Sequence, residues 1–262
     1  MPVQIDPRAI LSPRASLGEN VSIGPFAVVE DGVSIGDGTW VGAHAVVHSG
    51  VRLGRECKIH QAAAVGGPPQ DLKYRGEPTL LEIGDRAIVR EFVTLNRGTT
   101  ATGKTIIGND CLFMAYAHVA HDCVVGDNAI LANCVALGGH VTLGNWVIIG
   151  GLTPIHQFSR VGDHVMIGGG FRVTKDVPPY ILAGDAPLIF ERLNIIGLRR
   201  RGFSAHTIEL LDKTYRLLYR SNLNVSQAVA RIKEEVEQIP EVQNVLTFIA
   251  RSERGIIPGH VH

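Results

Sequence analysis

Beginning at Ile5 and stepping by six, the chain meets a bulky apolar residue almost without exception as far as Val173. The series runs through Leu11, Leu17, Ile23, Val29, Ile35, Val41 and onward. Of its 29 positions only Asp71, Glu77 and Ala101 break the pattern. Two residues before most key positions stands a small or β-branched residue, as at Ala15, Val21, Ala27, Val33, Thr39, Ala45, Val51, Cys57 and Ala63. Strand side chains two apart share a face, so both positions of each hexad point inward.

A period of six excludes heptads and membrane helices, and its strictness argues against a β-sandwich. One short strand and one turn per hexad predict a parallel β-helix. Three hexads make a triangular coil, and after 18 residues the chain returns one strand spacing higher, about 4.8 Å. Roughly ten coils at that spacing give a prism on the order of 45 Å tall. Glycine often follows the key residue, as in Leu17-Gly18, Ile23-Gly24, Ile35-Gly36 and Val41-Gly42. The expectation is that these glycines supply the positive φ of a sharp corner.

Two stretches interrupt the repeat. Residues 66–80 carry three prolines and three glycines between Gly66 and Pro78, which forbid regular strands and predict a protruding loop. Lys73 at its tip suggests a phosphate or substrate clamp beside the bland reading of a solvated loop. Residues 98–105 form a shorter, less informative interruption. After Asp176-Val177-Pro178-Pro179-Tyr180 the spacing turns helical. Leu193, Ile196 and Leu198 begin it, and Ser204 is a candidate N-cap for a helix through about Tyr219. Two more helices are expected over 226–238 and 241–252. The predicted organisation is therefore a β-helix over 1–187, with loops near 66–80 and 98–105, and a small helical domain over 188–262, whose tail with His260 and His262 should fray.

Composition adds exclusions. Lys+Arg and Asp+Glu balance at 25 each, which gives no argument for nucleic acid or an anionic membrane. The start lacks a basic segment followed by an apolar one, and no long apolar run occurs, so neither a signal peptide nor a membrane span is expected. The four cysteines form no C-x-x-C pair, and reduced thiols in a cytoplasmic protein are the simplest reading. Cys57, Cys111 and Cys123 occupy the small inward position and read as packing residues.

Histidine is where the chain looks chemical. The segment Ala117-His118-Val119-Ala120-His121-Asp122-Cys123 holds two imidazoles and a carboxylate. Taken alone it is more often structural than catalytic. The 18-residue coil stacks His121 below Gly139 and Gly139 below Gln157, so His118, His121, Asp122, Gly139, His140, His156 and Gln157 should gather on one edge. Two chemistries suit such a cluster. Neutral imidazoles can hold Zn²⁺, or one imidazole oriented by a carboxylate can act as general base. A non-catalytic scaffold is the third reading.

The hexads resemble those of the hexapeptide-repeat acyltransferases, whose left-handed β-helices form trimers. Gln70-Asp71-Leu72-Lys73-Tyr74-x-Gly76-Glu77-Pro78-Thr79, Ala117-His118-x-Ala120-His121-Asp122-Cys123, Gly139-His140-Val141, His156-Gln157-Phe158, His164-Val165-Met166, Asp176-Val177-Pro178-Pro179-Tyr180 and Arg200-Arg201-Gly202-Phe203-Ser204 resemble the UDP-N-acetylglucosamine O-acyltransferase family. That resemblance covers nearly the whole chain. It implies an all-β left-handed parallel β-helix followed by a small α-helical C-terminal domain. It also implies transfer of a 3-hydroxyacyl chain from acyl carrier protein to the 3-hydroxyl of UDP-N-acetylglucosamine, the first step of lipid A synthesis, by a homotrimer with no cofactor and no metal.

By the same resemblance His121 is the general base, Asp122 orients it, and the Gly139 N–H holds the oxyanion. Asp71, Lys73, His118, His140, His156 and Gln157 match sugar and phosphate contacts. Asn194 and Arg200 match nucleotide contacts from a neighbouring subunit, and Arg199 to Arg201 offer a basic patch for the acidic carrier protein. Gly169 matches the position that limits acyl length, with Phe171 near it. Ile196 departs from the family's pattern, which commonly has an acidic residue there. That departure leaves a 3-amino analogue of the sugar open as acceptor, beside a zinc lyase of the carbonic anhydrase type.

Overall fold

The structure is a computed structural model and describes residues 3–259. Met1 and Pro2, and the tail residues His260 and His262 expected to fray, lie outside the described residues. Two-residue strands repeat every hexad from Gln4–Ile5 to Met166–Ile167 and stack into three parallel sheets, of 11, 8 and 8 strands. This is the left-handed parallel β-helix expected from the repeat and the resemblance. The first nine strands of the largest sheet are rungs of the coil, and the last two are a hairpin. Above the open first coil, both inward positions of the strand hexads are sealed from solvent, for example Val21 with Ile23 and Val33 with Ile35. The core is therefore one narrow column of Val, Ile, Leu and small residues. Removing each such side chain from water contributes on the order of 1.5–3 kcal/mol.

The coil has nine rungs where about ten were expected because three of the counted hexads are not in it. Lys58 pairs with Ile88 and Ala64 with Thr94, an offset of 30 residues, while Thr94 pairs with His118, an offset of 24. The two loops thus insert two hexads and one hexad. Whole hexads leave the phase intact, and Asp71, Glu77 and Ala101, the three exceptions in the series, are loop residues.

The corner glycines do a different job from the one expected. Gly18, Gly24, Gly36 and Gly42 are not in the left-handed region. Positive φ falls two residues later, at Asn20, Phe26, Gly38 and His44, mostly on side chains that bear a Cβ. What excludes a side chain at the corner glycine is the coil above. A Cβ on Gly36 would lie 2.6 Å from the Gly54 carbonyl carbon, and one on Gly24 3.0 Å from the Ala43 nitrogen.

Beyond the coil, strand Ile181–Gly184 joins the largest sheet and pairs antiparallel with Ile189–Leu193. Leu193, expected in a helix, ends this strand. The turn between the two strands contains residue 187, so the helical segment is anchored to the coil by the hairpin. Four helices follow, α1 (Ile195–Arg200), α2 (Ala205–Tyr219), α3 (Val225–Glu235) and α4 (Pro240–Ala250). Ser204 caps α2 by accepting from the Thr207 N–H. After α4 the chain folds back onto the coil and the hairpin as far as Pro258. The Ile257 N–H donates to the Asp176 carbonyl and the Phe190 N–H to that of Pro258.

Candidate active site

One edge of the prism collects the chemistry. Val119, Leu137 and Ile155 are in register on one face, so the turns after them stack His121-Asp122, Gly139-His140 and Gln157-Phe158 on successive coils. The register also runs downward, from Val119 to Leu95 and Val65. Both loops therefore leave from this same edge, one and two coils below His121.

His121 Nδ1 lies 2.8 Å from Asp122 Oδ2. Asp122 occupies the left-handed corner position, with φ 60°, and its backbone N–H donates to the buried Thr105 hydroxyl at 2.8 Å. Its side chain is fully buried. Oδ1 accepts from the Thr99 N–H at 2.9 Å and from the Thr102 hydroxyl. Oδ2 accepts from the Thr99 hydroxyl at 2.6 Å. Burial pushes this carboxyl up, but the bonds from Thr102, Thr99 and His121 outweigh burial and hold it at about 2. Asp122 is therefore an anion at neutral pH and gives His121 a fixed negative partner.

Gly139 lies against the ring. A Cβ there would sit 2.6 Å from His121 Cε1 and 2.7 Å from Nε2, so only glycine admits the imidazole. Its N–H makes no hydrogen bond among the described residues. On one other edge of the prism, corner N–H groups are satisfied by a side-chain ladder, such as Asp127 N–H to Asn145 Oδ1 at 2.8 Å. No such ladder occupies the Gly139 corner.

His140 stacks on Phe158 at 4.5 Å and meets His121 edge-on at 5.2 Å. Its Nε2 is 3.7 Å from Asp122 Oδ2, too long for a hydrogen bond. His118 Nδ1 lies 2.7 Å from the Thr94 hydroxyl, and burial, then the nearby His121, push its pKa down. His156 Nδ1 bonds the Gln157 carbonyl at 3.0 Å, and the Gln157 side chain is exposed.

His121, Asp122 and His140 are close enough to share a cation. The donor set argues against it. A carboxylate offers about four lone-pair sites, and four donors already fill those of Asp122: the Thr99 N–H, the Thr99 and Thr102 hydroxyls, and His121. A metal would have to displace several of them.

Other expected residues lie farther out. Asp71 accepts from the Lys73 N–H at 2.9 Å, shaping the tip of the first loop, where Leu72 and Lys73 are exposed. The loop's base is held by Asn96, whose amide donates to the Pro68 carbonyl at 3.0 Å, and by Arg97, which lies over the Tyr74 ring. Asn194, Arg200 and Arg201 are not brought to His121 within one chain. They line a groove of about 1230 Å³ on the face of the largest sheet, with Trp146, His164 and Met166. Asn194 caps α1 and donates to the His164 carbonyl at 2.9 Å. The Arg201 guanidinium lies over Trp146 at 5.0 Å. Exposed Ile196 lines the same groove. Gly169 sits on another edge, where a Cβ would meet the Gly151 carbonyl oxygen at 3.0 Å. A Cβ on neighbouring Gly168 would meet the Phe171 ring at 2.7 Å.

Thr99, Thr102 and Thr105 went unnoticed in the sequence. A constant 18-residue offset hides Thr99 and Thr102, because the loop before His121 makes the local offset 24, whereas Thr105 keeps the 18-residue register. Cys123, by contrast, drops out of the chemistry. Burial pushes its thiol up to about 12, and Sγ faces the Gly138 carbonyl at 3.2 Å.

Comparison with known proteins agrees in scale and extent. Residues 176–257 match the family described as UDP N-acetylglucosamine O-acyltransferase, domain 2, and residues 104–139 match the bacterial transferase hexapeptide, six repeats. The acyl-[acyl-carrier-protein]–UDP-N-acetylglucosamine O-acyltransferase of Thiobacillus denitrificans is 48% identical over 97% of this chain and 98% of its own length. The enzyme of the same name from Chlorobaculum parvum is 52% identical over 96% of each. The solved UDP-N-acetylglucosamine acyltransferase of Bacteroides fragilis superposes with a TM-score of 0.95, at 46% identity, covering 96% of this chain and 99% of that one.

Proposed function

The chain belongs to the acyl-[acyl-carrier-protein]–UDP-N-acetylglucosamine O-acyltransferase family, and from that premise we infer what its own residues do in acyl transfer. It is an acyltransferase that moves a 3-hydroxyacyl chain from acyl carrier protein to the 3-hydroxyl of UDP-N-acetylglucosamine, the first step of lipid A synthesis. The observation that carries our reading of the site is the 2.8 Å bond between His121 Nδ1 and the anionic Asp122. With Nδ1–H donating to the carboxylate, the neutral ring keeps its lone pair on Nε2, and that nitrogen is the base.

Nε2 takes the proton of the sugar hydroxyl as its oxygen attacks the thioester carbonyl. A C–O bond forms, and negative charge moves to the carbonyl oxygen. The free Gly139 N–H supports an assignment as the donor that receives it, a role typically worth about 3 kcal/mol. Collapse breaks the C–S bond, and the imidazolium returns its proton to the leaving sulfur. Asp122 stabilises the imidazolium between the two transfers. The step calls for no cofactor and no acyl-enzyme.

His118, His140, His156 and Gln157 border the same edge and are assigned to the sugar and acyl donor, with Asp71 and Lys73 reaching the phosphates from the first loop, which leaves this edge two coils below His121. Arg200 and Arg201, on the helix capped by Asn194, are assigned to the nucleotide and the carrier protein of a neighbouring subunit's site. That assignment requires a homotrimer. The outward positions of the largest sheet support one: Ile88, Leu112, Ile130, Ile148 and Met166 line up in register. Such a stripe is unusual on a free surface. Gly169, on the edge beside that sheet, is assigned to acyl length and leaves room for a longer chain. No helix among the described residues is long and apolar enough to cross a membrane, and we place the enzyme in the cytoplasm with its carrier-protein substrate.

Mass spectrometry of products from UDP-N-acetylglucosamine and a panel of acyl carrier protein thioesters tests the reading. A 3-O-acyl product from a 3-hydroxyacyl donor supports it. Turnover only with a 3-amino sugar, or with none of the thioesters, overturns it.

A further inference from the structure

We propose that Thr99 and Thr102, on the short loop between Gly98 and Lys104, are positioning residues of the reaction: they fix which oxygen Asp122 presents to His121. The inference rests on the reading of His121 as base. Asp122 could serve that base only if its carboxylate holds one rotation. Three donors from the loop set it. The Thr99 N–H and the Thr102 hydroxyl meet on Oδ1, and the Thr99 hydroxyl bonds Oδ2 at 2.6 Å, which leaves a lone pair of Oδ2 for His121 Nδ1 at 2.8 Å. Thr105 holds the backbone of the same residue by accepting from its N–H. The other titratable groups facing this carboxylate are His121 itself and His140, 3.7 Å away.

The loop is built to hold still. The Gly103 N–H donates to the Thr99 carbonyl at 2.8 Å, closing the turn. A Cβ on Gly98 would meet the Lys104 backbone at 2.5 Å, so the neck of the loop is as tight as glycine allows. Thr79, where the first loop returns to the coil, donates its hydroxyl to the Gly98 carbonyl at 2.5 Å and is itself buried. One loop therefore braces the neck of the other, and the braced loop aims the carboxylate.

A tautomer follows from the aim. With Oδ2 directed at Nδ1, the neutral ring carries its proton on Nδ1 and is basic at Nε2. With the carboxylate free to turn, the ring also populates the form protonated at Nε2, which cannot accept the sugar's proton. The loss should therefore appear in kcat and spare the binding of the sugar nucleotide.

The test compares Thr99→Val, Thr102→Val and Thr102→Ser with wild type and His121→Ala. Initial rates are taken with UDP-N-acetylglucosamine varied and the acyl donor saturating. Each Val variant should lose kcat by about tenfold or more, a fraction of what general-base catalysis typically contributes, with KM within about twofold. Thr102→Ser, which keeps the hydroxyl, should stay within about threefold of wild type. Val variants at wild-type kcat, a loss carried by KM, or an equal loss in Thr102→Ser would overturn the proposal. If His121→Ala retains turnover, the reading of His121 fails instead; if it is inactive while the Val variants are normal, the loop proposal alone fails.

Discussion

A methyl group on Gly139 would sit 2.6 Å from Cε1 of His121, closer than two such carbons can approach. The two residues come from successive coils, and the contact fixes the ring against the backbone assigned to the oxyanion.

Gly139→Ala should therefore cost turnover more than stability. The ring must shift, and a displacement near an ångström can cost about 100-fold in rate. Steady-state kinetics on the purified variant should show that loss, with a melting temperature within a few degrees of wild type.

His164 predicts a pH dependence of stability. Burial, with repulsion from Arg201 and partial opposition from Asp163, pushes it down to about 4 from 6.5. Its ring is packed by Trp146, Tyr180 and Phe203. The folded pKa is the lower one, so between these values the unfolded chain binds the extra proton. Stability is then lost as pH falls from about 6.5 toward 4. Partial exposure screens the effect, leaving a loss on the order of 1–2 kcal/mol. Urea unfolding of wild type and His164→Gln across that window should show a shallower acid loss in the variant.

Cys123→Ala should keep its turnover, because a thiol pushed to about 12 by burial is not a nucleophile at neutral pH. The cost should fall on stability, at about 1 kcal/mol for a smaller core side chain. Parallel rate and denaturation measurements separate the two.

Ile130→Glu places a charge in the outward apolar stripe. If that stripe is the trimer contact, light scattering should show the assembly dissociating toward the mass of one chain, with transfer lost because Arg200 and Arg201 no longer reach a partner's site.

The sequence displayed the fold because a β-helix repeats its packing problem in every hexad. Val29, Val47 and Val65 face the same column, so a local pattern reports the global arrangement. The edge holding His121, Gly139 and Gln157 was legible for the same reason. Three things were not. The glycine after each key residue suggested a positive φ, but steric contact with the next coil, as at Gly36, decides that position. The loops were visible only as breaks in pattern, and the 24-residue offset that sets Thr99 and Thr102 against Asp122 depends on pairing the strands on either side. Finally, Arg200 and Arg201 are near His121 in the sequence argument only through resemblance. In one chain they line a groove on a different face, because α1 packs on the largest sheet.

The central claim is that His121 takes the sugar's proton, and His121→Ala tests it most directly. The variant should keep the wild-type assembly state and bind UDP-N-acetylglucosamine, while product from acyl carrier protein thioester, followed by mass spectrometry, falls by at least about 100-fold, within the range typical of general-base catalysis. Product formation at the wild-type rate in a folded His121→Ala enzyme of wild-type assembly state would contradict the account.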